Sequence, residues 1–336
     1  MYIVDSYVLA VILCFVTMIC WGSWGNTQKL AAKSWRYELF YWDYVIGMVL
    51  FALLLGCTLG SNGEEGRPFL TDLAQGDKAS FLYVLLGGAI FNASNILLSA
   101  SVSMAGMTVA FPLGVGIALV LGVVVNYLGT PSGDWRLLAL GVLCVVCAIV
   151  FNAKASARMN KGSGEQASHS RKGIVVAILA GVLMSLFYRF VVLGMDINNF
   201  TSPADGKLTP YSAIFIFSIG VLLSNFLFNT LAMRFPFVGE PVEYGAYFRG
   251  SLATHATGML GGCIWCLGTG LSYIASGQAG PAISYALGQG APMVAALWGI
   301  FVWREFRGAS RSVNALLLEM FVFFIAGLAL IIVAGM

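Results

Sequence analysis

The sequence predicts an all-α integral membrane protein of ten transmembrane helices, arranged as a 5+5 inverted repeat. Three observations lead to this prediction: an apolar composition, ten apolar stretches of membrane-spanning length, and a motif that occurs once in each half of the chain. Of the 336 residues, 59% are hydrophobic and 10% are charged, and the mean hydropathy is +0.86. Soluble domains have about 25% charged residues, so this composition excludes a soluble protein.

Ten uninterrupted apolar stretches are each long enough to cross a hydrocarbon core of about 30 Å. They lie near Tyr7–Thr27, Phe40–Leu59, Phe81–Ser101, Met107–Leu128, Trp135–Asn152, Gly173–Met195, Tyr211–Leu231, Ser251–Ile274, Gly280–Trp303 and Ala315–Val333. The first stretch lies where a secretory signal peptide would lie. It follows Asp5 instead of a basic segment and lacks a clear cleavage site, so we expect a helix of the mature protein.

The ninth span contains a motif that also occurs in the fourth. Ala105–Gly116 reads AGMTVAFPLGVG and Ala279–Gly290 reads AGPAISYALGQG, so Ala, Gly, Leu, Gly and Gly recur in the same order and at the same spacing. Five spans per half turn the second copy over in the membrane, which makes the duplication an inverted repeat. We expect a first repeat over 1–152, a basic cytoplasmic linker over 153–172 and a second repeat over 173–336.

Glycine and proline interrupt both copies of this motif. In a membrane helix these residues mark places where backbones approach closely or contact a ligand. In transporters built from inverted repeats, such interrupted spans surround the central substrate site. The backbones that we expect to line a central cavity are those of Pro112, Gly114, Gly116, Gly288, Gly290 and Pro292.

Basic residues predict the orientation in the membrane. Most of the 18 lysines and arginines fall on one predicted side: Lys29, Lys33, Arg36, Lys154, Arg158, Lys161, Arg171, Lys172, Arg234, Arg249, Arg304, Arg307 and Arg311. Short cytoplasmic loops carry the positive charge, so both termini are expected outside the cytoplasm, with the protein in the inner cell membrane. The net charge of +3 therefore indicates orientation and not nucleic-acid binding.

The chain has no motif of an ATPase, a zinc protease or a serine hydrolase, and it has only two histidines. Its seven cysteines lie in predicted spans. The C-x-x-C pairs at 144–147 and 263–266 have no second pair or histidine cluster nearby, so they are expected to be small apolar core residues. We therefore expect no enzyme activity, no metal site and no cofactor.

Polar side chains within the spans are the candidate substrate ligands, because polar groups inside a membrane are costly and mark binding sites and pathways. Asn92 and Asn95 share a face of the third span, and Gln289 lies between two glycines of the ninth. Arg189, in the outer half of the sixth span, offers a fork of donors. The alternatives are that the asparagines join helices and that Arg189 reaches the outer interface or pairs with an acidic neighbour.

Tryptophans in the spans are the candidate stacking residues for a flat ligand. Trp265 lies near the middle of the eighth span and is a candidate substrate-binding residue, although a packed core position explains it equally well. Trp21 and Trp24 lie three apart in the first span. They suit stacking, but tryptophans near a span end also form the aromatic belt at the membrane surface, which is favoured for Trp24.

Three segments resemble a known family. They are GQAGPAISYALGQGAPMVAALWGIFVWREFRGASR at 277–311, KLTPYSAIFIFS at 207–218 and YWDY at 41–44. They resemble the plant ureide permeases and their bacterial relatives in the drug/metabolite transporter superfamily. The resemblance implies the ten-helix, pseudosymmetric fold of that superfamily and, as in the plant members, proton-coupled uptake of allantoin, uracil and similar heterocycles. The chain lacks the long central loop of the plant proteins.

The expected function is a secondary active permease that takes up small polar heterocyclic metabolites, such as ureides or nucleobases, by alternating access. A sugar permease of the glucose or rhamnose type shares this architecture and is the first alternative. A drug or metabolite exporter is the second: the 13 methionines and 23 phenylalanines would line a wide cavity, but no carboxylate lies at mid-depth. The loops are too short for a non-transporting sensor.

Uphill transport without a nucleotide-binding motif must draw on an ion gradient. Proton coupling needs a titrating group that both sides can reach, and the candidates within spans are Asp43, His255 and Glu319. They lie near cytoplasmic span ends, where a carboxylate can instead face water or pair with Lys29 or Arg311. Besides the substrate, the expected partners are protons or Na+, the lipid bilayer and, in a candidate homodimer, a second copy of the chain.

Overall fold

The computed structural model describes residues 1–31, 35–162 and 171–336, and the regular structure of these residues is helical. The helices are α1 Tyr7–Ser23, α2 Gly25–Ala31, α3 Tyr37–Cys57, α4 Phe69–Gln75, α5 Lys78–Ala105, α6 Met107–Gly129, α7 Trp135–Gly162, α8 Arg171–Gly194, α9 Pro210–Arg234, α10 Tyr244–Tyr247, α11 Leu252–Ala279, α12 Pro281–Gly288, α13 Ala291–Leu297 and α14 Arg311–Ala334. A π-helical turn, Trp298–Val302, continues α13. Within the described ranges, ten helical segments are long and apolar enough to cross a membrane, which confirms the predicted all-α membrane fold.

The two halves use the same local structures at equivalent positions of the duplicated sequence. Asp77 caps α5 and Ser251 caps α11, each by accepting a hydrogen bond from the backbone N–H three residues later. Such caps satisfy N–H groups that have no partner within the helix. Gly106 follows α5 with φ 79° and ψ 151°, and Gly280 follows α11 with φ 78° and ψ 153°. Glycine adopts this positive φ readily because it lacks a Cβ atom.

Helix packing follows the same correspondence. Helix α5 of the first half packs against α8 and α9 of the second half, and α11 of the second half packs against α1 and α3 of the first. Helix α6 packs against α8, and in the same way α12 and α13 pack against α1. The last spans of the two halves, α7 and α14, pack against each other. On this basis we propose that 1–152 and 173–336 are the two repeats. They are joined by the segment 153–172, of which 163–170 lie outside the described residues.

Successive spans run antiparallel, so the loops lie at two ends of the molecule. These two ends differ in charge. The acidic end carries Glu64, Glu65, Asp72 and Asp77, and the basic end carries Lys29, Arg36, Lys154, Arg158, Arg171, Arg234, Arg249, Arg304 and Arg307. Both termini lie at the acidic end. The Met1 amino group donates a hydrogen bond to the Glu65 carbonyl (2.6 Å), and the Asp134 N–H donates to the Ala334 carbonyl (2.7 Å).

A buried ion pair joins the loops at the acidic end. The Asp72 carboxylate is fully buried and accepts hydrogen bonds from Arg67 (3.1 Å), from the Gln75 amide (3.1 Å) and from the Thr209 N–H (2.8 Å). Arg67 also donates to the Pro203 carbonyl (2.7 Å). These bonds tie α4 to the loop that precedes α9.

The ninth span is broken at the glycines and the proline that interrupt its sequence. α12 ends at Gly288 and α13 begins three residues later, with Gln289 and Gly290 in the turn between them. Pro292 has no N–H to donate to the Gly288 carbonyl, and the two glycines tolerate the change of backbone direction. The equivalent span, α6, is continuous through Pro112. That proline lies in the second turn of α6, so the bond that it removes belongs to the start of the helix.

Candidate substrate cavity and coupling site

A cavity of about 130 Å³ lies between the two halves, in the middle of the bundle and toward its basic end. It is bordered by α1, α5, α6, α8, α11 and the broken span α12–α13. Its apolar lining consists of Trp21, Gly22, Trp24, Phe91, Leu98, Phe111, Gly114, Val115, Ala118, Ala180, Gly181, Met184, Phe187, Trp265, Ala291, Pro292 and Ala295. Asn95 and Gln289 complete the lining, and none of these described residues is charged.

Aromatic rings form one wall of the cavity. The rings of Trp21 and Trp265 are nearly parallel, with centroids 6.1 Å apart and an interplanar angle of 10°. Trp265 also contacts Phe91, at a centroid distance of 4.3 Å, and Phe91 contacts Phe187 at 5.3 Å. The Trp21 Nε1–H donates to Thr269 Oγ1 (3.0 Å), which fixes the ring plane. The wall therefore offers a rigid aromatic surface to a flat ligand.

Two amides supply the polar groups of the cavity. Asn95 Nδ2 donates to Tyr41 Oη (3.1 Å), and the side-chain oxygen of Asn95 has no partner among the described residues. The Gln289 carboxamide likewise has no partner in the described part of the chain, although Gln289 is only 9% exposed. The Gln289 carboxamide and the Asn95 side-chain oxygen are therefore available to a ligand with adjacent donor and acceptor atoms.

Two predicted ligands lie away from the cavity. Asn92 is fully buried and donates to Ser224 Oγ (2.9 Å) and to the Val221 carbonyl (3.3 Å), so it joins α5 to α9. Arg189 donates to Thr130 Oγ1 (3.0 Å) near the acidic ends of α8 and α6. It has no ion-pair partner among the described residues. The structure thus places both side chains in contacts between helices.

Only some of the predicted glycines and prolines reach the cavity. Gly114 and Pro292 line it, whereas Pro112, Gly116, Gly288 and Gly290 are not among its lining residues. Gly288 lies behind the aromatic wall, where an added Cβ would be 2.7 Å from Trp21 Cζ3. At Gly116 an added Cβ would meet no atom within 4 Å. Close backbone packing therefore accounts for Gly288, and the space around Gly116 does not require glycine.

Asp43 and His255, two of the predicted coupling residues, are in direct contact. The Asp43 carboxylate is fully buried on α3, and its Oδ1 lies 2.8 Å from His255 Nδ1 on α11. Tyr247 Oη donates to the same oxygen (2.7 Å), and Trp35 Nε1 donates to Oδ2 (3.3 Å). The carboxylate and the imidazole can share a proton, because each has an atom placed to donate or accept it.

The short helix α10 brings Tyr247 to this pair from outside the membrane-spanning segments. Burial, together with the hydrogen bond to Asp43, raises the pKa of the Tyr247 phenol well above its ordinary value. Tyr247 therefore stays protonated and donates to the carboxylate. The His255 ring makes edge contacts with Trp35 and Tyr247, at centroid distances of 5.3 and 4.8 Å.

Glu319, the third predicted coupling residue, is exposed on α14 and has no ion-pair partner in the described part of the chain. Sequence reasoning missed Tyr247 and Trp35, which lie outside the spans where polar groups attract attention. It also missed Phe91, although its position was detectable, since Phe91 and Trp265 occupy equivalent positions in the two copies of the repeat. For Trp21 the sequence left two alternatives open, stacking on a ligand and the aromatic belt, and the structure places it in the cavity wall.

Comparison with known proteins identifies a family. The sequence model of the ureide permease family matches residues 40–167 and 165–334. Ureide permease 1 from Arabidopsis thaliana is 23% identical over 387 aligned residues, which cover 100% of this chain and 99% of the relative. Ureide permease 5 from the same plant is 25% identical and covers 99% of this chain and 96% of the relative.

Two further similarities are weaker. An L-rhamnose-proton symporter from Yersinia pestis is 27% identical over 113 residues, which cover 31% of this chain and 33% of the relative. A solved crystal structure of a protein matches 96% of this chain and 97% of that one, with a TM-score of 0.57 and 16% sequence identity. At this identity the structural likeness shows the fold alone.

Proposed function

Because this chain belongs to the ureide permease family, we propose that it is a secondary active transporter of small, neutral heterocycles that carry amide or ureide groups. Members of the family are transporters and not enzymes, and the ten apolar helices agree with a multi-pass membrane protein. The full-length relatives are named ureide permeases, which supports ureides as the substrate class.

The observation that supports this substrate class most strongly is the Gln289 carboxamide beside the aromatic wall. Ureides and nucleobases carry an N–H next to a C=O, an edge that pairs with a carboxamide through two hydrogen bonds. Their flat rings suit stacking on Trp265 or Trp21. The lining is uncharged, which favours neutral substrates. A volume of about 130 Å³ is below the range of about 300–1,000 Å³ for drug-sized ligands, which argues against a drug exporter.

The Asp43–His255 pair is the proposed proton-coupling site. A proton that binds there changes the hydrogen bonds of a buried carboxylate between α3 and α11. Tyr41, two residues before Asp43 on α3, accepts the hydrogen bond from Asn95 in the cavity. A movement of α3 on protonation would therefore reach the substrate site, which is the requirement for coupled transport. Coupling to Na+ instead of protons is the alternative that the experiments must distinguish.

The proposed orientation places the basic end in the cytoplasm and both termini outside, in the inner cell membrane. The cavity lies toward the basic end, which in this orientation is the cytoplasmic half of the protein. At the acidic end the Arg67–Asp72 pair and its neighbours join the loops. Alternating access then requires these contacts to separate when the cavity opens to the outside.

Uptake into proteoliposomes with radiolabelled allantoin, uracil, L-rhamnose and glucose tests the proposed function. We expect allantoin or uracil to enter above the level of protein-free liposomes and the two sugars not to enter. L-Rhamnose is included because of the partial match to the rhamnose symporter. Uptake of a sugar without uptake of either heterocycle would contradict the proposal and favour the sugar permease.

A further inference from the structure

The segment from Trp303 to Arg311 combines one glutamate with several arginines at the basic end, and the substrate cavity uses none of them. Glu305 forms an ion pair with Lys29 on α2. Its charge is therefore directed toward Lys29. Arg304 and Arg307 have no ion-pair partner among the described residues, although both belong to the same short segment.

These two arginines line a separate cleft of about 380 Å³ between the π-helical turn and α14. The other lining residues are Ile300, Phe306, Asn314 and Leu317. Two arginines and one asparagine thus line the cleft, a donor-rich set of residues with no acidic residue. Guanidinium groups bind phosphate through paired hydrogen bonds, so the chemistry of the cleft suits a phosphate group.

The backbone that carries the cleft is strained. Arg304 has a φ of 54°, and among the described residues it is the only non-glycine residue with a positive φ. The neighbouring Glu305 N–H donates to the Gly299 carbonyl (2.9 Å), and the Arg307 N–H donates to the Arg304 carbonyl (3.1 Å). Such strained residues cluster at ligand clamps, where surrounding contacts hold them in place.

The protein surface beside the cleft is apolar. Phe301 is 71% exposed, Val302 is 55% exposed and Leu318, on α14, is 66% exposed. Large exposed apolar side chains on membrane-spanning segments face lipid tails. A ligand that fills the cleft with a phosphate and covers these side chains must itself have both an anionic head and an apolar tail.

We propose that the cleft formed by Arg304, Arg307 and Asn314 binds the phosphate headgroup of an anionic phospholipid, with its acyl chains along Phe301, Val302 and Leu318. Basic pockets between transmembrane helices on the cytoplasmic side suit such headgroups. Lipid binding in this cleft requires only that the basic end meets a lipid surface, so it is independent of the transported substrate. Charge complementarity and the adjoining apolar surface distinguish a lipid from a soluble anion.

The test uses the full-length protein, purified in a neutral detergent, and measures its thermal unfolding midpoint during titration with phosphatidylglycerol or phosphatidylcholine. We expect phosphatidylglycerol to raise the midpoint of the native protein more than phosphatidylcholine does. The double variant Arg304→Gln/Arg307→Gln should need roughly tenfold or more phosphatidylglycerol for the same rise. The double variant Arg158→Gln/Arg234→Gln removes the same charge from exposed positions at the basic end and should respond as the native protein does.

An equal loss of response in both double variants would show that net charge and not the cleft attracts the lipid, which would overturn the proposal. Equal effects of the two lipids on the native protein would also overturn it. Inorganic phosphate at the same concentrations is the third arm. If it alone raises the midpoint as much as phosphatidylglycerol does, the cleft binds a soluble anion and the lipid assignment is wrong. The lipid and phosphate arms need only the native protein, so they decide the question even if a variant fails to fold.

Discussion

At the scale of single residues, the Gln289 carboxamide lies in an apolar cavity without a hydrogen-bond partner among the described residues. Its backbone is held by the hydrogen bond from its N–H to the Tyr285 carbonyl (3.1 Å). The helix break thus fixes the position of a side chain that remains free to bind. A substrate with a matching amide edge would complete its hydrogen bonds.

Replacing Gln289 by leucine tests this role. The variant keeps the side-chain volume close to that of glutamine but removes its donors and its acceptor, at a cost of roughly 1–3 kcal/mol for each lost bond to substrate. We therefore expect KM for allantoin or uracil to rise about tenfold or more. Gln278→Leu makes the same change at an exposed position of α11 and should leave KM unchanged. An unchanged KM in Gln289→Leu would remove this residue from the substrate site.

Asp43→Asn tests the coupling pair. The substitution preserves the shape of the side chain and removes its charge, so His255 loses the carboxylate with which it shares a proton. We expect the variant to lose uphill accumulation of substrate driven by a pH gradient and to retain exchange of substrate down its own gradient. Both are measured in the same proteoliposomes.

The matched control for this variant is Glu319→Gln, because Glu319 is an exposed carboxylate within a span and contacts no coupling residue. It should accumulate substrate normally. If Asp43→Asn still concentrates substrate, and a protonophore fails to stop the native protein from doing so, proton coupling through this pair is wrong. Sodium coupling or facilitated diffusion would then replace it.

At the scale of secondary structure elements, the break between α12 and α13 places its glycines against other helices. An alanine at Gly288 would put its Cβ 2.7 Å from the Trp21 ring, closer than packed atoms allow. The ring would have to move, and with it the aromatic wall of the cavity. Overpacking of this kind typically costs about 1–3 kcal/mol.

The variants Gly288→Ala and Gly116→Ala compare a crowded glycine with one that has free space around it. We expect Gly288→Ala to reduce the uptake rate about tenfold while the protein remains folded in the membrane, and Gly116→Ala to transport normally. Initial uptake rates, normalised to the amount of monodisperse protein, provide the comparison. Similar rates in the two variants would show that the position of Trp21 does not control transport.

The ion pairs at the two ends differ in burial, which predicts different effects on stability. Asp72 is fully buried and its partner Arg67 is 15% exposed, whereas Lys29 and Glu305 are 45% and 50% exposed. Without Asp72, Arg67 keeps only the fully exposed Asp205 (3.7 Å) as an acidic partner. Loss of one partner of a buried pair typically costs about 3–5 kcal/mol, whereas an exposed pair contributes about 0–1 kcal/mol. Asp72→Ala should therefore lower the unfolding midpoint markedly, and Glu305→Gln should barely change it. Equal shifts in thermal unfolding would contradict the burial argument.

At the scale of the whole molecule, the separation of charge between the two ends predicts the orientation. A cysteine at Asn62, on the exposed loop of the acidic end, should react with a membrane-impermeant thiol reagent added to whole cells. A cysteine at Arg158, at the basic end, should react only after the cells are opened. Both are introduced after the native cysteines have been replaced. The reverse pattern would contradict the proposed orientation, with both termini outside.

The sequence alone was sufficient for the class, the number of spans, the proposed repeat and the family. Hydrophobicity and length act on each segment separately, so ten membrane helices can be recognised one at a time. The constant offset between the two copies of the motif led to the proposed repeat, and the caps of α5 and α11 and the glycines at 106 and 280 agree with it. Their residue types and positions in the spans also made Asn95, Trp265 and Gln289 candidate substrate-binding residues, and all three line the cavity.

Only the tertiary structure decided which of the polar and aromatic candidates meet. Asn92 and Asn95 share a helix face, yet one joins α5 to α9 and the other lines the cavity. Asp43 and His255 are 212 residues apart in the chain and 2.8 Å apart in space. The rotation of each helix and the identity of its neighbours determine such contacts. Those properties depend on the packing of all the helices together, so no single segment of the sequence contains them.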